Sequence, residues 1–452
     1  MSTPRTKPSS AVIVGLGRTG LSCARYLREL GWRIAVTDTR LEPPQLHALR
    51  ELDAQIPLRL GALDTRLLDD ALCVVVSPGV SLEQPFFAEA RRRGLEIVGD
   101  IELFARAVDA PVAGITGTNG KSTVTTLLGR MAARAGVEVR VGGNLGEPAL
   151  DLLAAARRAG QAVGLYVLEL SSFQLEATRS LDLKAAAVLN VSPDHLDRYA
   201  HLAAYAAAKA RIFARCDTAV INLDDPLVVT MPQPGQPTLS FSLRAAIGAD
   251  YALGVRDGGS WLTRRGEALL PVSAMRIRGL HNAANALAAL ALGEALGLPL
   301  HAMLAELEQF TGLAHRTQWV ADVAGVTYVD DSKGTNVGAT IAAVAGMDGP
   351  LIIIAGGDGK NQDFAPLAAA FRGKVRHTVL IGRDARQVAE ALRGVCTTQY
   401  CDSLEQAVRA AASAARPGDT VLLSPACASF DMFRDYSHRG AVFAREVKEL
   451  AA

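Results

Sequence analysis

The residues whose spacing carries the most chemistry are Gly114-Ile115-Thr116-Gly117-Thr118-Asn119-Gly120-Lys121-Ser122-Thr123. An apolar run, Val112 to Ile115, feeds a glycine-rich turn, and a stretch without proline that suits a helix follows. Backbone N–H groups in such a turn cradle phosphates, the lysine neutralises the outer charge, and the next hydroxyl can hold Mg²⁺. The usual pattern wants glycine at position 115, where this chain has isoleucine, but Gly114 and Gly117 flank it and Gly-Lys-Ser is intact. A purely structural turn has no need of Lys121. The turn therefore reads as a nucleotide-phosphate site.

Further groups fall at the ends of apolar runs. Glu169 closes Gly164 to Leu168 and precedes Leu170-Ser171-Ser172-Phe173-Gln174. A carboxylate there is costly unless paired or metal-bound. Asn190-Val191-Ser192-Pro193-Asp194-His195-Leu196-Asp197 follows another run, and His195 is either a ligand or a solvated loop histidine. Asn282 and Asn285 lie three apart at a helix start, where they cap or read a purine ring. Three polar loops, Asp330 to Asn336, Gly356 to Lys360 and Ser424 to Ser429, each follow a strand and together describe one ligand mouth. Gly15-Leu16-Gly17-Arg18-Thr19-Gly20 with Asp38 fits a nicotinamide cofactor, another diphosphate, or a tight turn with no ligand.

The elements that position these groups alternate strand and helix, the pattern of parallel sheets covered by helices. Strands are expected at Ala11 to Val14, Arg33 to Thr37, Cys73 to Val76, Val112 to Ile115, Gly164 to Leu168, Ala185 to Leu189 and Ala219 to Ile221. A small antiparallel patch is expected over 238–277, then a helix from His281 to Leu296. A third series starts near Val326, with strands at Val326 to Val329, Leu351 to Ile354, Thr378 to Ile381 and Thr420 to Leu423. At 452 residues, three α/β domains fit the length, with a boundary near Asp109-Ala110-Pro111.

Composition narrows the class. Lys and Arg number 47 against 46 Asp and Glu, a net charge of +1, which excludes a broad basic face for nucleic acid. No apolar run is long enough to span a membrane, and Met1 to Ser10 lacks the apolar core of a secretory signal. The six cysteines form no CxxC pair and read as reduced thiols, so a cytoplasmic protein is expected.

These residues resemble the Mur ligases, ATP-dependent amino-acid ligases of peptidoglycan precursor synthesis, over almost the whole chain from about Ala11. The carrying motifs are Thr116 to Thr123, Gly142-Gly143-Asn144-Leu145-Gly146, Glu169 to Leu175, Asp194-His195-Leu196-Asp197, Ala207-Ala208-Lys209-Ala210-Arg211-Ile212-Phe213, Asp331-Ser332-Lys333 with Thr335-Asn336, Gly356 to Lys360, and Leu423 to Ser429. The resemblance implies a Rossmann-like UDP-substrate domain over 1–109, a central P-loop ATPase domain over 110–313, and a Rossmann-like glutamate domain over 314–452. It implies joining of D-glutamate to UDP-N-acetylmuramoyl-L-alanine through an acyl phosphate, in a cytoplasmic monomer that binds neither nucleic acid nor membrane. L-glutamate or another amino acid is the alternative. A nicotinamide-dependent dehydrogenase leaves Lys121 without purpose. A non-catalytic scaffold predicts losses among Lys121, Glu169, His195 and Lys209, and none is lost.

By resemblance the catalytic groups are Lys121, Glu169, His195 and Lys209, the last as a carbamate. Two Mg²⁺ ions are implied, one at Ser122 and Glu169, the other at His195 and Lys209. ATP falls to Gly117, Thr118, Asn119, Gly120, Lys121, Ser122, Thr123, Asn282, Asn285, Arg316 and Asp331. The UDP substrate falls to Gly17, Arg18, Thr19, Thr39, Arg40, Gly79, Asn144, Ser171 and Gln174, and glutamate to Lys333, Thr335, Lys360, Ser429 and Tyr436. Arg18 replaces an apolar residue of some members, and Tyr436 stands where phenylalanine is expected.

Overall fold

In the computed structural model, residues 9–244, 248–277, 279–347 and 349–450 are described. The first eight residues of the polar N-terminal segment, the last two of the third domain, and part of the 238–277 patch lie outside them. Three sheets follow one another along the chain.

The first sheet is parallel, in the order Leu58–Leu60, Arg33–Asp38, Ser10–Val14, Cys73–Val76, Glu96–Val98. Ser10–Val14 and Cys73–Val76 are buried throughout, as near-continuous apolar strands covered on both faces must be. Strand order reverses between these two, so the Gly15–Gly20 turn and the Ser77-Pro78-Gly79 turn leave the sheet side by side. Such a reversal opens a crevice for a ligand.

The central sheet has nine strands, in the order Val139–Gly143, Leu165–Glu169, Val112–Thr116, Leu183–Val188, Cys216–Asn222, Thr238–Ser242, Tyr251–Arg256, Gly259–Arg264, Glu267–Pro271. Its first seven strands are parallel and only the last two pairings are antiparallel, so Gly259–Arg264 alone runs against the rest. The patch expected over 238–277 is therefore the edge of this sheet, and Thr238–Ser242 is a parallel strand. Phe241, Tyr251, Leu262 and Leu270 join the core beneath helix Leu280–Ala295, which holds the hairpin onto the sheet.

The third sheet runs Gln318–Val323, Val326–Asp330, Thr420–Leu423, Leu351–Gly356, Val375–Ile381, Thr397–Tyr400, with only the first pair antiparallel. Gln318–Val323 precedes the expected start at Val326. It lies at the sheet edge, mostly out of the core, so its side chains leave little apolar signal. Val326–Asp330, Thr420–Leu423 and Leu351–Gly356 are neighbours, which brings the three polar loops together. Among the described residues no helix is long and apolar enough to cross a membrane.

Candidate functional site

Val112–Thr116 is wholly buried and ends at Gly117, whose φ is 145°, while Gly120 at φ 84° starts helix Lys121–Arg134. A Cβ on Gly120 would lie 2.4 Å from Asn285 Oδ1, so the turn can pass beneath Asn285 only as glycine. Lys121 is not freely exposed, as a lysine in a loop would be. Its ammonium turns back to donate to the carbonyls of Gly117 (2.9 Å) and Thr118 (2.8 Å). Lys209 approaches from the other side, 1 % exposed, and donates to the same Gly117 oxygen at 2.8 Å. Burial, and then the charge of Lys121, press the Lys209 amine well below its ordinary pKa. Helix Leu202–Ala210, followed by a single 3₁₀ turn at Arg211–Phe213, carries Lys209 inward and lays its Nζ 4.4 Å from the Tyr205 ring centre.

Glu169 ends its strand in full burial. Burial would raise its carboxyl, but the Lys121 charge and hydrogen bonds from Ser122 and Asn144 outweigh that and hold it below its ordinary value. Asn144 Nδ2 donates at 2.7 Å, Ser122 donates its hydroxyl hydrogen, and Arg316 donates to Ser122 Oγ at 2.6 Å. His195 sits across the turn at φ 54°, between the rings of Phe173 (5.0 Å) and Tyr205 (6.2 Å). Burial lowers its pKa against the pull of Asp194, which favours the neutral imidazole a metal needs. Ser122 and Glu169 form one group, and His195 and Lys209 lie about Tyr205. Among the described residues no three His, Cys, Asp or Glu side chains form a preformed metal cage.

Two cavities meet here. The first, about 340 Å³, is lined by Asn119, Gly120, Thr123, Asn282, Asn285 and Asp331. Asn285 Nδ2 donates to Asn282 Oδ1 at 3.2 Å, so the two amides act as a pair. Burial pushes the Asp331 carboxyl up to about 7 despite a 2.8 Å hydrogen bond from Ser424. The second cavity, about 710 Å³, runs from Gly17, Arg18, Thr19, Thr39, Arg40 and Gly79 of the first domain, past Asn144 and Gln174, to Ser122 and Glu169. Tyr436 of the third sheet's domain closes it. Arg316 and Lys333 line both cavities. Burial, then the Arg316 and Lys121 charges, lower the Lys333 amine to about 7, and its Nζ lies 4.0 Å from the Tyr436 ring centre.

Some expected groups are engaged elsewhere. Asp38 accepts from the Leu16 N–H at 2.7 Å and from the Arg40 guanidinium at 2.7 and 2.9 Å, so its carboxylate is not free for a ribose. Ser171 caps helix Ser172–Glu176 in a reciprocal pair with Gln174 and lines neither cavity. Thr335 and Ser429 also stay off both cavity walls, and Lys360 donates to Asp194 at 2.6 Å, beside His195. Sequence reasoning missed Arg439. It is 1 % exposed and donates to the Ser332 hydroxyl (3.0 Å), the Ser332 carbonyl (2.8 Å) and the Cys427 carbonyl (3.2 Å). It thereby binds two of the polar loops to each other. The available signal was an arginine four residues before Phe443 on the buried side of helix Tyr436–Leu450.

A glycine-rich Gly-Lys-Ser turn at the centre of three α/β units, with cavities drawing walls from all of them, fits a multidomain nucleotide-dependent enzyme. The chain belongs to the Mur ligase family. Residues 9–99 match the Mur ligase MurD-like N-terminal domain, 115–293 the Mur ligase middle domain, and 315–427 the Mur ligase glutamate ligase domain. A UDP-N-acetylmuramoylalanine--D-glutamate ligase of Methylococcus capsulatus is 51% identical over 443 residues, covering 98% of this chain and 95% of the relative. One of the same description from Nitrosococcus oceani is 52% identical over 444 residues, covering 98% and 97%. The fold is also that of a pseudomurein peptide ligase type C from Methanothermus fervidus, at a TM-score of 0.62 and 18% identity, covering 98% of this chain and 100% of that one.

Proposed function

We propose that this protein joins D-glutamate to UDP-N-acetylmuramoyl-L-alanine, splitting ATP to ADP and phosphate through an acyl phosphate. The observation that carries the reading is the meeting of the two cavities at Arg316 and Lys333, beside Ser122 of the P-loop. A nucleotide in the smaller cavity presents its last phosphate there, and an acceptor in the larger one presents its carboxylate.

The ligands divide by domain: UDP substrate on 1–109, ATP on 110–313, and glutamate on 314–452. Asn282 and Asn285 face the base, and Asp331 the ribose. Arg18, Thr39 and Arg40 hold the uridine diphosphate end, while Lys360 and Tyr436 border the amino acid. Forcing a carboxylate against a phosphate requires concentrated positive charge, which Lys121, Arg316 and Lys333 supply. Walls drawn from three domains would shield the activated carbonyl from water once the ligands fill the cavities, so that an amine rather than water meets it.

The donors suit Mg²⁺, which is held by few protein groups and completed by phosphate and water. Ser122 Oγ with Glu169 would hold one ion, and His195 with a carbamate on Lys209 a second. Bound there, the ions would neutralise charge on the phosphoryl and acyl oxygens. Lys209 fits the carbamate on chemical grounds, because a buried amine kept neutral has the lone pair that attacks CO₂.

A phosphate-release assay with the UDP-linked acceptor and a panel of amino acids tests this. Release should require both acceptor and D-glutamate. Turnover without an amino acid, or a preference for L-glutamate or a diamino acid, overturns it.

A further inference from the structure

Arg198 lies three residues after His195, on the segment that closes the His195 turn. Its N–H donates to the His195 carbonyl at 2.9 Å, and the Tyr199 N–H donates to the same oxygen at 3.0 Å. These two bonds hold His195 in its left-handed conformation. The Arg198 side chain then reaches out of the central domain. One terminal nitrogen donates to the Val80 carbonyl at 3.1 Å and lies 3.5 Å from Glu176 Oε2, and the other donates to the Pro78 carbonyl at 3.4 Å. Pro78 and Val80 flank Gly79, and all three line the larger cavity on its first-domain side.

The guanidinium is also stacked, its central carbon 4.5 Å from the centre of the Phe173 ring. The same ring meets the His195 imidazole at 5.0 Å and stacks on Tyr199 at 5.8 Å. One planar cation thus holds the first-domain turn with its edge and, with its face, the aromatic ring against His195. A lysine has neither the fork nor the flat face for both contacts.

We propose that Arg198 is a positioning residue that couples seating of the UDP-linked acceptor to the orientation of His195. The proposal rests on reading the larger cavity as the acceptor site. Loss of the guanidinium frees the 78–80 turn and removes the support behind Phe173, so acceptor binding and turnover fall together. Arg198 lines neither wall of the nucleotide cavity, so ATP binding is untouched.

The test is steady-state phosphate release by the full-length protein, with KM measured separately for acceptor, ATP and D-glutamate. Arg198→Met keeps an apolar stem against Phe173 but has no fork. It should raise the acceptor KM and lower kcat, each about 10- to 100-fold, while leaving the ATP KM within about twofold. Arg198→Lys should recover part of kcat and leave the acceptor KM high. An unchanged acceptor KM, or an ATP KM that rises in step with it, overturns the coupling. If Arg198→Met does not fold, Arg198→Lys decides by the same comparison of the two KM values. A wild-type chain inactive on this acceptor would refute the proposed reaction itself. An active wild type with normal variants refutes only the role of Arg198.

Discussion

Asp100 opens helix Asp100–Ala105 at the end of the first domain, and its side chain faces the central domain. It is 1 % exposed, its Oδ2 accepts from Gln174 Nε2 at 3.0 Å, and its Oδ1 has no hydrogen-bond partner among the described residues. Burial raises the carboxyl from 3.8 to about 6, with Gln174 and the local backbone opposing the rise. The native state therefore keeps this proton to a higher pH than the unfolded chain does. Stability falls as pH rises from about 4 to about 6, and the lost stability levels off at about 3 kcal/mol above that window. Asp100→Asn cannot ionise but leaves an amide N–H unpaired, which costs about 1–3 kcal/mol at every pH. The informative quantity is thus the change with pH. Between pH 5 and pH 8 the variant should gain about 1–2 kcal/mol on the wild type in urea unfolding. The acceptor KM should stay put, because the asparagine oxygen still accepts from Gln174. A wild-type-to-variant difference that is the same at pH 5 and pH 8 would refute a protonated Asp100.

Lys121→Ala should lower kcat by at least about 10²-fold with an unchanged circular dichroism spectrum, because among the described residues the ammonium donates only to carbonyls of its own loop. Lys209→Ala should be nearly inactive and partly restored by acetate, which would supply a carboxylate in place of the proposed carbamate; a working Lys209→Arg would refute that proposal. Gly143→Ala should slow phosphate release, because at φ 97° its Cβ would press within 2.5 Å of the Glu169 carbonyl, and normal kinetics would show that Glu169 need not be held so closely. Tyr436→Phe should keep kcat within about twofold, since the ring under Lys333 remains, whereas Tyr436→Ala should not.

Much of this was legible from the residues. Apolar runs ending in Gly, Glu or Asp marked the strand ends on which the P-loop, Glu169 and the third-domain loops sit. What escaped has physical causes. Gln318–Val323 lies at a sheet edge, where half-exposed strands alternate only weakly. The antiparallel patch was expected while the parallel pairing of Thr238–Ser242 with the central sheet was not, since a strand's partner does not show in its own side chains. The hydroxyl of Ser171 is spent on a helix cap, because a Ser-x-x-Gln spacing serves the local backbone as well as it serves a ligand. The outward reach of Arg198 and the inward fold of Lys121 depend on neighbours more than 70 residues away or on rotamers, and neither is written in local spacing.

Arg439 has a consequence for how this site could change its amino acid. Its guanidinium grips Ser332 on one loop and Cys427 on another, so neither loop can be re-aimed without stranding a buried cation. Variation by loop drift, the common route to new preference on an α/β scaffold, is closed between these two segments. A lineage that came to accept a longer or differently charged amino acid would have to exchange individual side chains on a fixed frame. Its history would then show as isolated substitutions at the pocket rim, with loop lengths and Arg439 left as they are.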